Sequence, residues 1–144
     1  MLINGRAAEL ISAQDRGLLY GDGLFETIKL VKGEPQHWEL HLQRLSRGAE
    51  QLSIPMPEDG LLLQELLSLS KAPIRPQAMP LRGARPQIPL SSQPQVLAKI
   101  ILTRGVGGRG YYPAKLNPTR IIQLFPWPEF PAENVEQGVR VTLC

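Results

Sequence analysis

Cysteine is almost missing from this chain: the single one, Cys144, is the last residue. That excludes an internal disulfide and any cysteine-based metal site. Histidine is nearly as scarce. His37 and His41 lie four apart but lack the intervening glutamate and the third ligand of a metalloprotease helix, so no metal site is expected. Long apolar runs are absent as well: none approaches the ~20 residues needed to span a bilayer. The opening MLINGRAAEL has no basic-then-apolar layout of a secretory leader. A soluble, reducing, cytoplasmic setting is the default expectation, with no membrane partner. Charge of one sign is lacking too. Sixteen Lys and Arg against thirteen Asp and Glu leave +3, and Arg75, Arg82 and Arg85 in the acid-free stretch 73–94 account for all of it. The pI of 9.3 therefore marks no polyanion-binding surface, and no nucleic-acid partner is expected.

What the chain does have is 144 residues, 42% of them hydrophobic, with 14 prolines and 13 glycines. A chain of this length is one ordinary domain that buries roughly 70% of its unfolded surface. Met1-Leu2-Ile3, then Asn4-Gly5, then Arg6 to Ile11 reads as a hairpin with a type I′ turn. Leu24 to Val31 reads as a strand with Phe25, Thr27 and Val31 on one face and Leu24, Ile28 and Leu30 on the other, a pattern that suits cover on both faces. Lys32-Gly33-Glu34-Pro35 is a turn. Residues 39–52 read as a helix whose buried stripe is Leu42, Leu45, Ala49 and Leu52. A second helix is expected over Glu58 to Leu69, with Leu61, Leu62, Glu65, Leu66 and Leu69 on one face and acids at its positive end.

Residues 73–94 differ in kind. Six of these 22 are proline, which removes backbone donors and fixes φ, so an exposed extended loop is expected. Val96 to Thr103 is a strand, Arg104 to Gly110 a glycine-rich turn, and Thr119 to Phe125 the return strand. FPWPEFP, residues 125–131, is a proline-stiffened linker. Gly138 to Cys144 then begins another strand, and a domain rarely ends on an apolar strand without a partner, so the chain reads as cut short. The fold class is α+β, a mainly antiparallel sheet with two packed helices. The division expected is a small domain over 1–125, a linker over 126–137 and the first strand of a large domain over 138–144.

Three constellations carry chemistry. In DRGLLYGDGLFET, residues 15–27, Gly17, Gly21 and Gly23 permit tight turns and close backbone approach before a strand. In HLQRL, residues 41–45, Leu42 and Leu45 point to the core while His41 and Arg44 share the flanking face. Arg44 presents a planar, always charged fork suited to a phosphate or a carboxylate; the plainer reading is a surface arginine, with His41 a structural hydrogen-bonding residue. In TRGVGGRGYY, residues 103–112, four glycines suggest a phosphate loop, but the terminal Lys and Ser or Thr are missing and no helix follows. A hairpin tip presenting Arg109 and Tyr111 to an anionic substrate is the sharper reading, and a plain flexible hairpin is the alternative.

Taken together and in this order, YGDGLFET, HLQRL and TRGVGGRGY resemble the small N-terminal domain of the fold-type IV, or class IV, pyridoxal-phosphate enzymes. These include branched-chain aminotransferases, D-amino-acid transaminases and 4-amino-4-deoxychorismate lyases. The resemblance covers nearly the whole chain except the proline-rich stretch, which looks like an insertion. Within the family the pattern is most similar to the lyases, which show GDG, a Phe-x-Thr element and a GGRGY tip. Branched-chain enzymes usually have glycine where Thr27 stands. D-amino-acid enzymes usually have tyrosine at Phe25 and histidine at Tyr111.

The resemblance implies a role for each matching residue. Arg44 would bind the phosphate of pyridoxal 5′-phosphate, Thr27 would take part in the lyase reaction, Phe25 would line the substrate pocket, and Arg109 with Tyr111 would bind the substrate carboxylate. It implies conversion of 4-amino-4-deoxychorismate to 4-aminobenzoate and pyruvate, a step toward folate, by an enzyme that is a homodimer at full length. The Schiff-base lysine of the family has no counterpart among Lys29, Lys32, Lys71, Lys99 and Lys115, so this chain reads as roughly the first half of the enzyme and as inactive alone. A class IV aminotransferase is the alternative chemistry. A non-catalytic module that keeps the small-domain fold is the alternative from another class.

Overall fold

The chain is described by a computed structural model that covers residues 1–71, 94–112, 117–128 and 131–142. The proline-rich reading of 73–94 therefore lies outside the described residues, apart from Pro94, whose carbonyl accepts the Lys32 N–H at 3.0 Å. Six antiparallel strands form one sheet in the order β2-β1-β6-β5-β3-β4. They are β1 Leu2–Ile3, β2 Arg6–Ala7, β3 Gly23–Val31, β4 Glu34–Pro35, β5 Gln95–Thr103 and β6 Thr119–Pro126. The helices are α1 Arg16–Tyr20, α2 Trp38–Gln51, α3 Leu61–Lys71 and α4 Glu133–Glu136. None of them is long and apolar enough to cross a membrane.

Both tight hairpins follow from their turn residues. Asn4 and Gly5 take φ of 49° and 77° between β1 and β2, and Lys32 and Gly33 take 51° and 85° between β3 and β4. Two successive positive-φ residues give the twist that antiparallel strands need. The first hairpin is shorter than the alternation over 6–11 suggests. Its partner strand β1 has only two paired residues, so the ladder runs out at Leu2↔Ala7.

The long ladder β3–β5–β6 carries the core. Ile28, Leu30, Val96, Ala98, Ile100, Leu102 and Ile122 point to one face, where Leu45 and Ala49 of α2 and Leu62 and Leu66 of α3 close over them. Strand alternation sends the intervening residues to the other face. The expectation that β3 is covered on both faces is corrected here: Phe25 is 62% exposed and Thr27 is exposed. Both long helices pack on the Ile28 side, and none of the described residues forms a layer against the Phe25 side.

Two helix boundaries also shift. Leu52 follows the last turn of α2 and is partly exposed, so the buried stripe ends at Ala49. Gly60, at φ 79°, cannot be a helical residue, so α3 starts at Leu61 and Glu58 and Asp59 precede it rather than occupying its first turn. In the expected 126–137 linker, Pro126 still belongs to β6 and Glu133–Glu136 forms α4. Of the strand expected over 138–144, residues 138–142 carry no strand and no described strand pairs with them, while 143 and 144 lie outside the described residues. An extended segment becomes a strand only when a neighbour takes its backbone donors and acceptors.

Candidate functional site

Strand β3 divides the candidate residues between two faces. Glu26 falls in the inward phase between Leu24 and Ile28 and is 3% exposed. Phe25 and Thr27 fall in the outward phase. From Gly23 to Ile28, β3 is paired with β5 on one side and with no described strand on the other, because β4 reaches only Leu30 and Val31. The inward Glu26 and the outward Thr27 thus sit along one free strand edge.

A carboxylate on a buried face needs partners. Glu26 finds them one helical turn apart on α2. Arg44 donates from Nε to Glu26 Oε1 at 2.7 Å and from Nη2 to Oε2 at 2.5 Å. His41 Nδ1 lies 2.7 Å from the same Oε2, and against a carboxylate it is the donor. Burial pushes the Glu26 carboxyl up, but the hydrogen bonds and charges of Arg44 and His41 outweigh it and hold the group below the usual carboxylate range. The Arg44 side chain remains 64% exposed. Of the two anion types its fork suits, a carboxylate of this chain takes one edge.

The outward face holds Phe25 and Thr27 together, and register places Lys99 opposite Thr27. The Lys99 ammonium lies 4.7 Å from the centre of the Phe25 ring, and the Lys29 ammonium 4.6 Å from that of Trp127. The result is an open sheet surface of aromatic rings and cations beside one hydroxyl, suited to an anionic ligand with a flat apolar body.

Arg109 and Tyr111 lie on the loop that leaves β5, beyond the Gly23↔Thr103 pair. A second ion cluster holds this loop. Asp22 Oδ2 accepts from Arg16 Nε at 2.9 Å and from Arg104 Nε at 2.8 Å. Arg16, 3% exposed, donates its other nitrogens to the Gly110 and Tyr111 carbonyls at 2.9 and 3.4 Å. Its guanidinium stacks 4.5 Å from the centre of the Tyr20 ring, and the Tyr20 hydroxyl accepts the Gly110 N–H at 3.3 Å. Arg104 donates to the Leu52 and Ser53 carbonyls just past α2. Burial pushes the Asp22 carboxyl up, but the hydrogen bonds from Arg104 and Arg16, and their charges, hold it below the ordinary range. Among the described residues, no buried side-chain nitrogen or oxygen lacks a partner.

Asp15 completes the cluster. As N-cap of α1 its carboxylate accepts the Gly17 N–H at 2.8 Å, and it accepts the Thr103 hydroxyl at 3.1 Å. Glycine suits position 17, because a Cβ there would fall 2.3 Å from Thr103 Cγ2 and force it to shift. Gly21 at φ 65° caps the other end of α1 and turns the chain into β3.

Of the five residues singled out from sequence, the structure thus brings Phe25 and Thr27 together, puts Arg44 on Glu26 beside them, and leaves Arg109 and Tyr111 exposed on a loop tied down by Arg16. Sequence reasoning missed Glu26, Arg16, Asp22 and Arg104. One signal for Glu26 was available: it is an acid in the apolar phase of a strand otherwise reading Leu24, Ile28, Leu30.

Residues 23–144 match the pattern of the amino-transferase class IV family. An aminodeoxychorismate lyase of Vibrio harveyi is 30% identical over 143 residues, which is 99% of this chain and 45% of that enzyme. The crystal structure of a 4-amino-4-deoxychorismate lyase from Pseudomonas aeruginosa superposes with a TM-score of 0.75 at 38% identity, over 97% of this chain and 44% of that one. A fold IV transaminase from Curtobacterium pusillum superposes with a TM-score of 0.60 at 27% identity, over 89% of this chain and 37% of that one. The chain spans less than half the length of each of these relatives.

Proposed function

The chain belongs to the class IV amino-transferase family, and on that premise we propose that it is the small-domain portion of a pyridoxal-phosphate-dependent lyase that converts 4-amino-4-deoxychorismate to 4-aminobenzoate and pyruvate. The observation that carries this reading is the exposed Thr27 hydroxyl beside Phe25 on the open sheet face, in the Phe-x-Thr element that resembles the lyases. The likeness over nearly the whole chain to two proteins that bear the lyase name supports it.

The residues present fit the phosphate end of the cofactor. Arg44 is held by its Nε and Nη2 edge and keeps Nη1 for an incoming anion. Arg44 would hold the phosphate, and the lysine that carries the cofactor in the family would come from residues outside these 144. When bound, pyridoxal phosphate supplies an electron sink for the charge left as a proton departs from the carbon bearing the amine. Thr27 then holds or relays a proton at its Oγ1 toward the departing pyruvate portion. Phe25 offers its exposed face to the substrate ring, and Lys99 over that ring adds positive charge where the substrate carboxylates approach. Arg109 on the tethered loop takes a substrate carboxylate, with Tyr111 beside it. The same reading makes the full-length protein a cytoplasmic homodimer acting on a small anionic substrate in folate synthesis.

A class IV transaminase is the second reading, favoured by the likeness to the Curtobacterium enzyme. The test is to supply the full-length protein with 4-amino-4-deoxychorismate and follow 4-aminobenzoate and pyruvate, and separately to supply an amino acid with a keto acid. Thr27→Val removes the hydroxyl and keeps the shape. Lyase turnover falls by about ten- to a thousand-fold, the usual range for one acid–base or polar group, while the cofactor absorbance titration is unchanged. Amino-group transfer without 4-aminobenzoate establishes the transaminase, and neither reaction leaves the non-catalytic module.

A further inference from the structure

We infer that Glu26 is a positioning residue for the anion site: it holds one edge of the Arg44 guanidinium so that the opposite edge faces outward, ready for a phosphate. This rests on the reading of Arg44 as the phosphate ligand and goes beyond it, because that reading gives Glu26, the residue between Phe25 and Thr27, no role.

A guanidinium carries five N–H donors, one on Nε and two on each terminal nitrogen. The Nε–H and one Nη2–H point to the same side, and that side is filled by the two oxygens of Glu26 at 2.7 and 2.5 Å. Left over are both hydrogens of Nη1 and the second of Nη2. These make the end-on edge of the fork, the other geometry in which arginine takes two oxygens of a phosphate. Glu26 is anchored where Arg44 is not. It sits on a strand paired along its whole length with β5, is nearly buried, and is braced by His41 Nδ1 at 2.7 Å. Arg44 leaves its helix as a long side chain, 64% exposed, with no other hydrogen bond to the protein than those to Glu26 and a 3.4 Å contact to His41 among the described residues. Without Glu26 the arginine is a solvated surface chain.

The same contact has a second electrostatic consequence of opposite sign. A carboxylate behind the guanidinium partly cancels its charge and weakens its pull on an anion. Orientation and cancellation therefore predict opposite effects for removing the Glu26 charge, and the sign of the change decides between them. Orientation is the larger effect here because the anion meets Arg44 at its solvent-exposed outer edge, away from Glu26, while a side chain freed from Glu26 has to give up its rotamer freedom on binding.

The experiment compares pyridoxal phosphate with pyridoxal, which lacks the phosphate, as ligands of the full-length apoprotein, read by absorbance and by quenching of intrinsic fluorescence. Glu26→Gln weakens pyridoxal phosphate by about ten-fold, ~1.4 kcal/mol, and leaves pyridoxal unchanged. Glu26→Met, which continues the apolar row Leu24, Ile28 and Leu30, does the same and keeps the test available if the amide variant fails to fold. Tighter or unchanged binding of pyridoxal phosphate in both variants overturns the inference, and so does equal weakening of both ligands. Arg44→Ala separates this from the reading beneath it. If that variant retains full preference for pyridoxal phosphate, Arg44 is not the phosphate ligand and both fall. If it loses the preference while the Glu26 variants keep it, only the positioning role falls.

Discussion

Asp22→Asn removes one negative charge from between two buried arginines. Arg16 and Arg104 both place Nε on the same Oδ2 of Asp22, at 2.9 and 2.8 Å, and their side chains are 4% and 8% exposed. Neither guanidinium can reach bulk water without breaking its bonds to the Gly110, Tyr111, Leu52 and Ser53 carbonyls. Removing one partner of a buried pair costs about 3–5 kcal/mol, since a charge stays behind uncompensated. The asparagine keeps one oxygen acceptor and Asp22 itself is partly wetted, so the low end, about 3 kcal/mol, is the expected loss. With a urea dependence of about 2 kcal/mol per molar, the midpoint falls by ~1.5 M.

The pH profile supplies an independent check. The folded Asp22 carboxyl lies below its unfolded value, so its contribution is present above about pH 4–5 and disappears as pH falls through the lowered folded value. Glu26 shifts in the same direction, so Asp22→Asn flattens the acid limb without abolishing it. The assay is urea unfolding by circular dichroism between pH 3 and 7, with exposed Asp59→Asn as the control. A loss under about 1 kcal/mol, with an unchanged acid limb, would mean that the two arginines find water or another acceptor and that the cluster does not hold the loop.

Two glycines and one leucine give further tests. Gly17→Ala forces a Cβ into Thr103, whose hydroxyl is tied to Asp15, and destabilises by about 1–3 kcal/mol of overpacking in thermal unfolding. Gly21→Ala meets no atom within 4 Å but holds φ at +65°, so it costs ~1–2 kcal/mol of backbone strain, and a loss well above about 2 kcal/mol at Gly21 would mean that strain is not its only cost. Leu66→Ala empties the centre of the contact between α3 and the sheet and lowers stability by about 2–5 kcal/mol; a smaller loss in a denaturant melt would place α3 outside the core.

Local chemistry was legible in the sequence wherever a residue's own neighbours decide its conformation. Asn4-Gly5 and Lys32-Gly33 determine their turns because few residues tolerate two successive positive φ values. Val96 to Thr103 is a strand by its composition, and Leu45, Ala49, Leu62 and Leu66 are core by their spacing. Phe25 and Thr27 could be placed on one face because strand alternation has a period of two. The phosphate and substrate roles of Arg44, Arg109 and Tyr111 were legible only as motifs, and they stand as proposals. What the order of residues could not decide is which charges meet. Arg104 reaches Asp22 across 82 positions and Arg16 reaches Gly110 across 94. Those pairings depend on the register of β3 against β5, where Gly23 lies opposite Thr103. The tertiary structure also decided that, among the described residues, both long helices pack on one sheet face, the side where Ile28 and Leu30 offer apolar surface, and leave the Phe25 face uncovered. It likewise decided that Arg44 meets a carboxylate, because a buried Glu26 on that side has no water to solvate it and the α2 fork is the cation within reach.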